Sequence, residues 1–251
     1  MTIPGIYTTP VARYLERAGL SAMRPKAALV DMDGTLYDSM VNHTAAWHRL
    51  ISGTGIPCTR EEFYLYEGRT GAATIDALFV RGLGRHATDR EKEELYRLKT
   101  VYFQELPPVD VMEGAPAVMD AFRTFGLRRV LVTGSGQSSL IDRLDADYPG
   151  IFSPEMRITS RSVSRGKPDP EPYLKAMELA GVTPSESIVL ENAPLGVEAG
   201  RRSGAFTIAV TTGPVPAGEM WDAGADIVFP SMPDLAANIT LLLTTILQTK
   251  L

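Results

Sequence analysis

The stretch AALVDMDGTLYDS, Ala27 to Ser39, constrains this chain more than any other. A short apolar run, Ala27 to Val30, reads as a buried strand that delivers two carboxylates, Asp31 and Asp33, into a glycine turn at Gly34. Side chains two apart on a strand share a face, so the two acids occupy one small space if the extended geometry persists. Such a pair is costly unless a cation, a proton or solvent relieves the repulsion. A plain solvated turn accounts for Asp33 and Gly34, but not for an acid that directly ends a buried apolar run. A calcium loop needs further oxygen ligands at alternate positions and a closing glutamate, a pattern that Tyr37 and Asn42 do not complete. The stretch therefore reads as a metal-assisted reaction centre.

The rest of the chain is asked to complete that centre. From Glu113 onward, short apolar runs alternate with helical patterns. Strands are expected at Arg129 to Thr133, Met156 to Thr159, Ser187 to Glu191, Ala205 to Val210 and Asp226 to Phe229. A helix fits Asp169 to Ala180, with Pro170 in its first turn and Gly181 at its end. Strands so spaced predict an α/β class: a Rossmann-like parallel sheet with helices on both faces. Ligands of such sheets bind beyond the carboxyl ends of the strands. There the sequence places Asp31 and Asp33, then Thr133, Gly134 and Ser135, then Lys167 in the loop SRGKPDP, then Glu191 and Asn192. An acid pair, a hydroxyl, a lysine, a further acid and an amide form a kit suited to phosphoryl transfer.

Between Thr59 and Leu106 the signals are helical. Thr59 with Glu62 and Thr88 with Glu91 have capping-box spacing, and Leu95, Leu98, Tyr102 and Leu106 form an amphipathic stripe that Pro107 and Pro108 stop. Residues 41–110 thus read as a small helical domain inserted after the first strand, with 1–40 and 111–251 forming the core domain. Residues 1–26 read as an amino-terminal arm, with a short helix near Val11 to Leu20 and no secretory-signal pattern.

Composition narrows the partners. With 44% hydrophobic and 22% charged residues in 251, the chain is an ordinary globular sequence long enough to bury a real core. A net charge of -5 offers no broad attraction for nucleic acid or an anionic membrane. No run approaches the ~18 apolar residues of a membrane span. One cysteine, Cys58, allows no intrachain disulfide and suits a reducing cytoplasm.

DMDGTLYDS, followed in order by Thr133, Lys167 and the Glu191-Asn192 pair, resembles the motif series of the haloacid dehalogenase superfamily. The insert falls where that superfamily carries small helical caps. The resemblance implies that Asp31 is a nucleophile forming an aspartyl phosphate, with Asp33 as general acid and base. It implies that Thr133, with Gly134, Ser135 and the Gly34 turn nearby, holds the phosphoryl group, and that Lys167 offsets its charge. It also implies Mg2+ held by Asp31, Asp33 and the Glu191-Asn192 position. The second acid, Asp33, sets the chain apart from the dehalogenase branch.

Two departures stand out. Where the superfamily usually has two acids, this chain reads Glu191-Asn192, so the site has one negative charge fewer and an Asn192→Asp variant is expected to bind Mg2+ more tightly. The amide oxygen of Asn192 still suits a hard cation, and Glu191 suits a water-mediated contact. In the cap, His43 and Trp47 resemble the beta-phosphoglucomutases, yet Gly71 stands where those commonly carry arginine, and Arg69 lies two residues earlier. Arg69 is the candidate substrate selector, since a guanidinium binds phosphate or polar groups bidentately. Together these features imply a magnesium-dependent phosphatase of a small phosphorylated metabolite, a sugar phosphate among the candidates. The alternatives are a beta-phosphoglucomutase and a catalytically silent binding protein that retains the fold.

Overall fold

The computed structural model describes residues 5–136 and 138–251. Six parallel strands form one sheet: β1 (Ala27–Val30), β2 (Arg128–Val132), β3 (Arg157–Ile158), β4 (Ser187–Glu191), β5 (Phe206–Val210) and β6 (Ile227–Phe229), in the order β3-β2-β1-β4-β5-β6. The register aligns Val30 with Leu131 on one side and with Leu190 on the other, so the loops after β1, β2 and β4 open at the same edge. The strand positions expected from sequence are met to within a residue or two. Both faces of the central strands are covered, which is why β1, β4 and β5 are apolar nearly throughout rather than alternating.

On one face pack α1 (Thr8–Ala18), α5 (Ala115–Thr124) and α11 (Met232–Gln248). On the other lie α8 (Glu171–Ala180) and α9 (Pro194–Ser203). The intervening helices are α2 (Met40–Ser52), α3 (Gly71–Leu83) and α4 (Asp89–Gln104), followed beyond α5 by the short α6 (Ser138–Ile141) and α7 (Leu144–Asp147), and later by α10 (Ala217–Asp222). Helices α2, α3 and α4 surround their own apolar cluster, built on Trp47, Ile51, Phe63, Ile75 and Leu78. Thr88 and Glu91 close a reciprocal capping box at the start of α4, whereas Glu62 beside Thr59 turns its carboxylate to Arg81. No helix among the described residues is long and apolar enough to cross a membrane.

Two local expectations need revision. The amino-terminal arm is part of the core: Val11, Tyr14 and Leu15 are fully buried, Tyr14 donates to the Gly204 carbonyl, and Arg17 makes a paired contact with Asp226. Apolar residues on one side of α1 supply the energy for this, because a short isolated helix is marginal in water. On α4 the most deeply buried positions are Lys99 and Phe103, with Leu95, Leu98 and Tyr102 flanking them. The inward stripe is therefore rotated from the leucine stripe that the spacing suggested.

Candidate active site

Asp31 follows β1 and remains in the ladder, its amide donating to the Leu190 carbonyl at 3.0 Å. Lys167, from the loop before α8, is 2% exposed. Its ammonium donates to Asp31 Oδ1, to Glu191 Oε1 at 2.6 Å and to the Val132 carbonyl at 3.0 Å. One lysine thus ties the ends of β1, β2 and β4 together. Tyr173 also donates to Glu191 Oε1, while the amides of Asn192 and Ala193 donate to Oε2, so both Glu191 oxygens accept protein hydrogen bonds. Burial pushes the Asp31 carboxyl above the usual carboxylate range; Lys167 opposes that and Glu191 adds to it.

Asp33 lies at the start of the turn with a different set of partners. Its Oδ1 accepts from Ser39 Oγ at 2.8 Å and contacts His43 Nε2 at 2.9 Å. Burial pushes this carboxyl up, but His43, Ser39 and Lys99 outweigh that and hold it below its ordinary value. His43 Nδ1 in turn lies 2.6 Å from the ammonium nitrogen of Lys99. Burial, with Lys99 adding to it, holds the imidazole below its usual value. Lys99 is itself 1% exposed and set over the rings of Trp47 and Phe103, and burial pulls it down to about 7 against the attraction of Asp33.

Thr133 caps the end of β2, where its Oγ1 accepts from the Ser135 amide at 2.9 Å and leaves the hydroxyl hydrogen for another acceptor. Gly134 lets the insert approach: a Cβ there would stand 2.5 Å from the Gly68 carbonyl oxygen and 2.9 Å from that of Arg69. Next to it, the Gly136 amide donates to Tyr96 of α4 at 3.0 Å. Gly34 takes a left-handed φ of 77°, and a Cβ there would meet Asn192 Nδ2 at 2.0 Å.

The loop before α3 closes the cleft over these groups. Arg69 reaches it, stacked near the Tyr66 ring, and its buried Nε has no hydrogen-bond partner among the described residues. Asp31, Asp33, His43, Arg69, Thr133, Gly134 and Ser135 line this single cleft. Lys167, Glu191 and Asn192 stand behind or beside it through the hydrogen bonds above. Three further groups enter that the sequence reading passed over: Glu67, Tyr96 and Lys99. Glu67 Oε1 accepts from Asn192 Nδ2 at 2.8 Å, and the Asn192 Oδ1 receives the Thr35 hydroxyl at 3.3 Å. Burial raises Glu67 well above the usual range, with Asp31 and Glu191 adding to it.

These oxygens are of the kind a hard divalent cation takes, although no three His, Cys, Asp or Glu side chains among the described residues are grouped to hold one by themselves, so that a backbone carbonyl and the Asn192 amide would have to contribute. Asp31, Asp33, Glu67 and Glu191 are close enough to raise one another's proton affinity or to share partners, and Lys167 balances only part of that charge. Asp31, the Asp33 turn and the Asn192 amide would hold the ion, with carboxylate and carbonyl oxygens of the type Mg2+ prefers.

Residues 25–204 match the family model of haloacid dehalogenase-like hydrolases. Hexitol phosphatase A of Escherichia coli is 31% identical over 188 residues, covering 75% of this chain and 84% of its own. Validoxylamine A 7'-phosphate phosphatase of Streptomyces hygroscopicus is 30% identical over 187 residues, covering 74% and 86%. A solved structure from Bacteroides vulgatus, provisionally described as a beta-phosphoglucomutase, is 42% identical with a TM-score of 0.93 and covers 96% of this chain and 98% of its own.

Proposed function

This chain belongs to the haloacid dehalogenase-like hydrolase family, and from that premise we propose a Mg2+-dependent phosphatase acting on a small phosphorylated, sugar-like metabolite through an aspartyl phosphate. At the coarser level the chain is a phosphoester hydrolase or phosphotransferase. The observation that carries the finer reading is the unequal treatment of two neighbouring acids: Asp31 is fixed by Lys167, while Asp33 is held by Ser39 and His43.

Lys167 engages Asp31 Oδ1, which leaves Oδ2 to attack phosphorus. As the Asp31–phosphorus bond forms, the ester oxygen leaves and takes a proton from Asp33. The approaching phosphate dianion raises the Asp33 carboxyl from its depressed resting value, as any added negative charge does, and so prepares it as an acid. Asp33 then accepts a proton from water, whose oxygen attacks phosphorus and releases Asp31 with inorganic phosphate. The Thr133 hydroxyl and the Gly134 amide hold the phosphoryl oxygens, and Lys167 offsets their charge. A bound Mg2+ would supply further charge stabilisation at the same oxygens. Residues 41–110 serve as the cap, with Arg69 and His43 facing the substrate side.

A panel of sugar and polyol phosphates assayed for phosphate release with Mg2+ tests this reading. Release from at least one compound, lost by ~10³-fold or more in Asp31→Asn, is expected. The absence of release from folded, Mg2+-supplied protein would refute it. The second reading, a beta-phosphoglucomutase, rests on the likeness to the Bacteroides vulgatus structure. Conversion of beta-glucose 1-phosphate to glucose 6-phosphate in the presence of a bisphosphate primer would establish it in place of the first.

A further inference from the structure

Glu67 is a costly residue for its position. It is carried by the cap loop, lines the cleft with Asp31 and Asp33, and has no ion-pair partner among the described residues. Its Oε1 stands 3.0 Å from where a Cβ on Gly34 would be, beside the turn that begins at Asp33. A contact whose only role was to hold cap against core would be served better by glutamine, which accepts the same hydrogen bond from Asn192 without placing a charge among like charges. A carboxylate pays for such a position when a cation shares it.

The partner of this carboxylate is informative. Asn192 occupies the position where the core lacks an acid, and its side-chain amide is the group that Glu67 touches, at 2.8 Å. The deficit and the surplus lie in direct contact. We propose that Glu67 supplies, from the cap, the negative charge that Asn192 does not supply from the core, so that divalent-cation affinity in this protein depends on a cap residue. This rests on the metal-dependent reading above. It adds that the ion is held most firmly when the loop before α3 lies over the Gly34 turn, which couples metal retention to cap position.

The test is metal binding rather than turnover. Mn2+ affinity of the whole protein, without substrate, is measured by calorimetry and by the paramagnetic resonance signal of the free ion, with circular dichroism confirming the fold. Glu67→Gln keeps the size and the accepting oxygen, and should weaken Mn2+ binding by about tenfold. The double variant Glu67→Gln/Asn192→Asp restores the charge on the other side of the same contact, with donor and acceptor exchanged. It should recover affinity to within about threefold of the parent. Unchanged affinity in Glu67→Gln would reduce Glu67 to a latch and overturn the proposal, as would a double variant as weak as the single one. A parent chain that binds no Mn2+ would instead overturn the metal-dependent reading and this proposal with it.

Discussion

The two sides of the cleft are finished to different degrees. On the core side, Lys167 joins Asp31 Oδ1 to Glu191, and Tyr173 completes the contacts of Glu191, so that only the attacking Oδ2 of Asp31 is left open among the described residues. On the cap side, Arg69 keeps a buried nitrogen without a hydrogen-bond partner among the described residues, Glu67 is an acid among acids, and burial pulls Lys99 down to about 7. On the function proposed above, the contrast is one of purpose. Groups that act on phosphorus must be in place before any substrate arrives, because preorganised charge does its work without reorganising. Groups that recognise the remainder of a substrate are completed by it, and their unmet demands are what a ligand satisfies.

The largest effect should come from breaking the core network. Lys167→Met leaves Asp31 and Glu191 buried without their cation. Removing one member of such a buried pair costs about 3–5 kcal/mol. Urea unfolding should show that loss together with the loss of phosphate release; a variant as stable as the parent would mean the network is looser than the geometry implies.

Next comes the pH dependence of Lys99. Its ammonium is pulled down to about 7 by burial, whereas a solvated lysine titrates near 10.4. Between those values the unfolded chain binds a proton that the folded chain does not, so rising pH favours the folded state through this group. In Lys99→Met that contribution disappears. The unfolding free energy of the parent, less that of the variant, should therefore increase from about pH 7 to about pH 10. A flat or falling difference would place Lys99 in a wetter setting.

Arg69→Ala should be the mildest. Stability should stay within about 0.5 kcal/mol, as for substitutions that break no buried pairing. KM for the best substrate should rise about tenfold, equivalent to ~1.4 kcal/mol, with a smaller change in kcat. A large stability loss with an unaltered KM would move Arg69 from recognition to scaffolding and erase the contrast between the two sides.

What could be read beforehand follows the same division. The acids, the threonine and the lysine on the core side were legible because each follows an apolar strand or a constrained loop, and a parallel sheet brings strand ends to one edge by topology alone. Lys99 was not. It lies in DREKEELYRLKTVYFQ, where charged residues usually face water, and only packing against α2 makes it buried. A signal was present nonetheless: Tyr96, Lys99 and Phe103 recur at helical spacing, which puts the lysine on the aromatic side of α4. Glu67 and Tyr96 reach the cleft across a tertiary contact between distant segments, which no local pattern encodes. The depth of α1 was hidden for the same reason, since its contacts reach Gly204 and Asp226, 190 and 209 residues away from their partners Tyr14 and Arg17.

Gly134 gives the cleft its tolerance. With backbone carbonyls of the cap loop 2.5 and 2.9 Å from the place a methyl carbon would fill, one added carbon at this seam acts as a shim between the two halves. Water is a competitor for the phosphoryl group in a transferase and a reactant in a hydrolase, so the thickness of that gap bears on which of them the protein can be. A single missing side chain after β2 sets how closely the two halves approach.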